Sequence, residues 1–221
     1  DFTFGNGFVG KLAVMNPTDI VEFNPVNTMT LGAQIGKTGD KGGIWLNFLY
    51  GDQDGTLDED GPSFDDDGEL LSSAGSLFQA DVTAGWNLTD KFYLGVNASI
   101  QSVAPGEAFS DPGVLNDLDG DASSFSGIAL YPKLTLSENF ALGLRAEYFS
   151  IKNGHLGIIG LDDNGDGSVM EFTLSGNYKV GGFTFIPEFR IDTTSEDSFA
   201  DKDGEASTLM PSLLMAAVYK F

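Results

Sequence analysis

Charged residues of opposite sign recur two apart in the second half of the chain: Arg145 and Glu147, then Glu188, Arg190 and Asp192, with Glu171 and Lys179 between them. A spacing of two puts side chains on one face of a β-strand, so three neighbouring strands would gather these residues on a common surface. Such a surface either sets a field that selects solutes by charge and size, or fills a narrow interior with salt bridges. Strand number decides which. A second set is rich in oxygen. Asp162, Asn164, Asp166 and Gly167 fit the start of an Asp-x-Asn-x-Asp-Gly calcium loop. The fit then breaks, because the closing position that needs a bidentate Glu holds Thr173, and Glu171 comes too early. Asp117, Asp119 and Asp121, and the run Asp65 to Asp67, are cruder versions. Calcium therefore stands beside the plainer reading of solvated anionic loops. Catalysis has little to draw on: His155 is the only histidine, no Gly-x-Ser-x-Gly elbow is present, and a His pair for a metal is impossible. The expectation is that the protein is not an enzyme.

Lys and Arg total 11 against 33 Asp and Glu, for a net charge of -22. That balance argues against nucleic acid or an anionic membrane surface as partner, and a cation or a sugar is easier to accommodate. With no Cys there is no disulfide framework or thiolate metal site. The longest apolar stretch, Leu213 to Tyr219, falls far short of the roughly 18 residues of a transmembrane helix. No secretory signal peptide is present, so the sequence reads as a mature form or a fragment. The 18 Phe, 6 Tyr and 29 Gly point to sheets joined by turns.

The elements that must position these side chains are strands. Phe78, Ala80, Val82, Ala84, Trp86 and Leu88 alternate with Gln79, Asp81, Thr83, Gly85 and Asn87, and the next segment repeats the pattern with Tyr93, Gly95, Asn97, Ser99 and Gln101 on its polar side. Period-two alternation predicts about ten strands of roughly membrane-spanning length: Phe2–Met15, Thr28–Lys37, Ile44–Tyr50, Phe78–Leu88, Phe92–Val103, Phe125–Leu136, Phe140–Ile151, Val169–Val180, Phe183–Asp192 and Thr208–Phe221. Short and long connections alternate strictly. The long ones hold 24 of the 33 acids but only Lys152 and Lys202 among the bases, so one rim is strongly anionic. Trp86, Phe92, Phe140, Tyr178, Phe183, Tyr219 and Phe221 fall near the opposite rim, as an interfacial aromatic girdle does. A soluble β-sandwich also alternates, but it does not explain long strands, one-sided loop lengths, the girdle and a final strand ending in Phe. The fold class expected is all-β: one antiparallel up-and-down transmembrane β-barrel domain over residues 1–221, lying in a bacterial outer membrane with the short turns periplasmic.

Three stretches carry a family resemblance: LFQADVTAGWNLTDKFYLGVNASI, FSGIALYPKLTLSENFALGLRAEYFSIKNG and EFTLSGNYKVGGFTFIPEFRIDTTSEDSF. LRAEYF at Leu144 to Phe149 and PEFR at Pro187 to Arg190 are the most telling, and TMTLGAQIGKTGDKGGIWLNFLYGDQDG extends the likeness to the first half. Together they resemble the beta-barrel porin-2 family of outer-membrane proteins. Members are usually longer, which implies that these residues form the C-terminal part of a larger barrel with further N-terminal strands. A complete ten-stranded barrel stays open beside it, and the two differ in consequence: about eight to ten strands leave a filled or narrow interior, about 16 an aqueous channel.

The functional expectation is a porin-like channel for passive diffusion of small hydrophilic solutes, with Arg145, Glu147, Glu171, Lys179, Glu188, Arg190 and Asp192 facing the lumen. The alternative is a small structural or binding barrel whose acidic outer loops contact a partner, a glycan or calcium. Partners expected are outer-membrane lipid and small solutes, with a homo-oligomer or other outer-membrane proteins as further candidates.

Overall fold

The computed structural model describes residues 1–17, 29–52, 76–103, 122–154 and 156–221. Eleven strands form one antiparallel sheet in which neighbours in sequence are neighbours in space: β1 (Phe2–Phe4), β2 (Phe8–Met15), β3 (Thr30–Gly39), β4 (Gly42–Asp52), β5 (Ser76–Asn87), β6 (Phe92–Val103), β7 (Ser123–Ser137), β8 (Phe140–Lys152), β9 (Gly167–Val180), β10 (Phe183–Thr194) and β13 (Leu209–Tyr219). A small hairpin of β11 (Phe199–Ala200) and β12 (Ala206–Ser207) sits within the last long connection. No helix occurs among the described residues. The sheet is open, since β1 and β13 are its two edges.

The expected first strand, Phe2–Met15, is two strands instead. Gly5, Asn6 and Gly7 form a three-residue turn between the paired Phe4 and Phe8, with Asn6 at φ 62° and Gly7 at φ 78° in the left-handed region. Asn-Gly is the sequence signal for such a turn, and the alternation running through it hides the break. The turn is stitched to β3, where the Thr38 amide donates to the Gly7 carbonyl at 2.9 Å. The other nine strands occur where the alternation places them, mostly one to four residues longer.

One face of this sheet is apolar and uncovered. Leu46, Phe48, Ile128, Leu144, Phe172, Leu174, Phe189 and Leu213 lie on it, 39% to 73% exposed. In water a surface of this size would drive association, whereas in hydrocarbon it is the lipid-facing wall. The other face carries the polar residues, and few side chains are fully buried anywhere; Ile151 and Thr30 are the largest. Prolines 132 and 187 interrupt the β7–β8 and β9–β10 ladders, in keeping with the amide each lacks.

Candidate functional site

Strand register builds the site. Glu147 pairs with Glu171 and Glu171 with Asp192, so three carboxylates stand abreast on β8, β9 and β10. One step along the same face Arg145 pairs with Thr173 and Thr173 with Arg190. Two guanidinium groups thus flank a hydroxyl beside a row of acids. Unpaired, three adjacent carboxylates would repel, and this register is stable because the arginines reach back across the rows.

Glu171 is the hub. Its Oε2 is 3.2 Å from Arg145 Nη1 and 3.3 Å from Arg190 Nη2, and its Oε1 accepts from Thr173 Oγ1 at 2.7 Å. Arg190 also donates to both Asp192 oxygens, Nε to Oδ2 at 2.8 Å and Nη2 to Oδ1 at 2.7 Å, a bidentate grip. Arg145 donates from Nε and Nη2 to a single oxygen, Oε2, of Glu147 on its own strand, and its guanidinium lies 6.0 Å from the Tyr131 ring centroid. Burial sets two of the acids apart, Glu147 being 25% exposed. The side chains of Glu171 and Asp192 are 4% and 3% exposed, while both arginines are 37% exposed. The guanidinium groups are the most accessible part of the cluster, with Glu171 and Asp192 beneath.

Of the seven charged residues that alternation places on this face, register brings five together. Glu188 sits opposite Ser175 and Lys179 opposite Thr184, both displaced toward the short-turn edge, and neither forms an ion pair with a described residue. Thr173 and Tyr131 belong to the cluster although their types carry no charge signal.

A second polar group on this face spans β3 to β6 and was visible in sequence only as alternation. Gln34 Nε2 donates to Asn47 Oδ1 at 2.6 Å, and Asn47 Nδ2 donates to Asp81 Oδ1 at 2.7 Å. Asn97 Nδ2 reaches Asp81 Oδ2 at 2.7 Å and Thr83 Oγ1 at 3.1 Å. Asp81 is the hub here, held by neutral amides where Glu171 is held by arginines. The row of Glu171 runs past Asp81 at its neighbours Thr83 and Asn97: Trp45, Thr83, Asn97, Ala129, Glu147, Glu171 and Asp192 are successive partners from β4 to β10.

Beyond the long-connection edge, Asp162, Asn164 and Asp166 form a self-closed turn. Asp162 Oδ1 accepts from the Asn164 and Asp166 amides, both at 2.9 Å, and Gly165 at φ 75° returns its amide to the Asp162 carbonyl at 2.9 Å. Those backbone donors hold the exposed Asp162 carboxyl below its ordinary pKa, the Asp166 amide most of all. Asp166 in turn accepts from the Asn153 amide at 3.2 Å and is paired with Lys152. The same device recurs at Asp201, whose Oδ1 accepts from the Asp203 and Glu205 amides at 2.8 and 2.9 Å, with Gly204 at φ 80°. Thr173 and Glu171 lie in β9 within the charge cluster, away from this turn. Among the described residues no group of three or more His, Cys, Asp or Glu side chains is arranged to hold a metal. His155, the Asp65 to Asp67 run and Asp117, Asp119 and Asp121 lie outside the described residues.

At the other edge, all seven predicted ring residues, Trp86, Phe92, Phe140, Tyr178, Phe183, Tyr219 and Phe221, share the apolar face close to the short turns. Phe140 pairs with Tyr178 and Phe183 with Tyr219, and the Tyr219 and Phe221 rings meet edge to face at 5.2 Å. Phe8 joins them with Lys37 4.7 Å above its ring, a cation at the same level.

Comparison with curated proteins gives no match, and neither does comparison with solved structures. The family described as "Putative beta-barrel porin-2, OmpL-like" matches residues 1–221. Sheet, faces and family agree, and the chain belongs to that family of porin-type β-barrels.

Proposed function

We propose that this protein is a bacterial outer-membrane channel for passive diffusion of small hydrophilic solutes, with the polar face of the sheet lining the lumen and the apolar face in lipid. The observation that carries this reading is the cluster around Glu171. Five charged side chains converge on a face opposite to an uncovered apolar one, and the two arginines remain solvent-accessible. Arg145 and Arg190 then set the local field, Glu147, Glu171 and Asp192 orient them, and Lys179 and Glu188 modulate the path toward the periplasmic mouth. The aromatic residues from Trp86 to Phe221 anchor the periplasmic interface. No chemical step is required of any residue.

Purified protein reconstituted into a planar lipid bilayer is expected to pass ions, and Arg190→Gln or Arg145→Gln is expected to move the reversal potential in a salt gradient toward cation preference. Absence of conductance from folded, inserted protein would sink the channel reading.

A further inference from the structure

Resting on the channel reading, the β3–β6 wall, away from the arginine cluster, has a chemistry of its own. Trp45 and Tyr93 stand on the polar face, where an indole and a phenol are out of place among amides and carboxylates. Glycines explain how they lie. A Cβ at Gly36 would be 2.8 Å from Trp45 Nε1, and one at Gly43 would be 2.7 Å from its Cη2. A Cβ at Gly85 would be 2.8 Å from Tyr93 Cζ, and one at Gly95 would be 3.3 Å from its Cε1. Each ring therefore covers bare backbone on the polar face. Tyr93 is 37% exposed and Trp45 half-buried.

Beside these rings stands the hydrogen-bonding group of Gln34, Asn47 and Asn97 around the Asp81 carboxylate. Trp45 is two residues from Asn47 on β4 and pairs with Thr83, which pairs with Asn97. Aromatic rings next to planar amides that donate and accept around one carboxylate, with Lys11 opposite Gln34 and Lys133 opposite Tyr93 at the flanks, match one solute chemistry. A saccharide ring has an apolar C–H face to stack and a rim of hydroxyls that donate and accept. An anion gains nothing from the ring faces, and an apolar solute gains nothing from the amides. We infer that the β3–β6 wall is a subsite for neutral saccharides, with Trp45 and Tyr93 as stacking platforms and Asn47, Asp81 and Asn97 as hydroxyl partners. Ions and sugars would then use different sectors of one lumen.

The test titrates sucrose, a neutral disaccharide, against ion current through single reconstituted channels, with a polyethylene glycol of similar size as control. Sucrose is expected to reduce the current saturably, and the polymer only in proportion to its effect on bulk conductivity. Trp45→Ala and, as a milder change, Asn97→Leu should raise the half-saturating sucrose concentration roughly tenfold, the equivalent of about 1.4 kcal/mol, while Trp86→Phe on the lipid face should leave it unchanged. Ion current with equal, non-saturating responses to sucrose and polymer overturns the subsite and leaves the channel standing. If no current flows at all, the channel reading fails and fluorescence decides the subsite. The chain has 2 Trp, so Trp86→Phe leaves Trp45 as the sole indole. Its emission should then shift saturably with sucrose in detergent, and an unchanged spectrum overturns the proposal.

Discussion

Glu171 is the residue on which the charged cluster turns. It is 3% exposed and accepts from Thr173 while pairing with both arginines, so its charge is compensated twice over. Glu171→Gln keeps the shape and removes that compensation, which leaves Arg145 and Arg190 as the dominant charges. Its expected effect is opposite in sign to that of Arg190→Gln: reversal potentials in a salt gradient should move toward anion preference. A shift in the same direction for both variants would mean that the cluster acts by shape alone. Asp162 makes a prediction of a different kind. Its folded pKa lies below the ordinary value of 3.8 because the Asp166 and Asn164 amides hold the ionised form. A depressed carboxyl contributes its stabilisation in full above the unfolded value and loses it as pH falls through the lower folded one. Amide exchange of Asn164 and Asp166 is thus expected to be flat from pH 7 down to about 5, after correction for intrinsic rates, and to accelerate only below the normal carboxylate range. Asp162→Ala should show the fast exchange at every pH.

At the scale of the strand, exposure and cost part company. Leu174 is 51% exposed on the apolar face of β9, and on a soluble sheet its replacement by a charged residue would be nearly free. In a bilayer Leu174→Arg is expected to cost on the order of 2 to 4 kcal/mol if the site lies near the midplane, read as a lower urea midpoint for protein folded into phospholipid vesicles. An unchanged midpoint would remove the lipid-facing assignment. The same two-faced pattern explains how much of the molecule was legible in its sequence. Alternation from Phe78 to Gln101 gave both strands, their faces and the short turn between them, because period two is a local property. It also put Arg145, Glu147, Glu171, Arg190 and Asp192 on one side. What it could not supply was register, which depends on pairing between strands and is not written in any single one. So the meeting of Glu171 with both arginines, the separation of Lys179 and Glu188 from them, and the amides around Asp81 all came from the sheet. The one strand misread, Phe2–Met15, failed where Asn6 and Gly7 reverse the chain without disturbing the apolar rhythm. Rings on the polar face were hidden for a related reason: Trp45 and Tyr93 need glycines on neighbouring strands, and those neighbours are known only once the strands are paired.

For the molecule as a whole, the edges set a requirement. β1 and β13 bound eleven strands in which every neighbour is antiparallel, so the two run in the same direction and an antiparallel closure cannot join them directly. In hydrocarbon each unpaired amide or carbonyl costs several kcal/mol, so the embedded protein must pair both edges. Closure aside, the ends of the wall are unequal. Most of the acids lie in the long connections, while the short turns carry Lys41 and Lys91 next to Asp40 and Asp90. Under the proposed channel reading, a conduit with fixed negative charge at one mouth and near neutrality at the other behaves as an ionic diode. Cations accumulate at the acidic mouth and carry more current when driven from it than toward it, so the current–voltage curve should bend at low salt. The bend should flatten near 1 M, where the screening length shrinks to about 3 Å and the mouth no longer senses its own charge. A curve equally straight at low and high salt would place those acids too far from the path to matter. The direction of the bend would also report which way the protein sits in the membrane, a readout that needs no label.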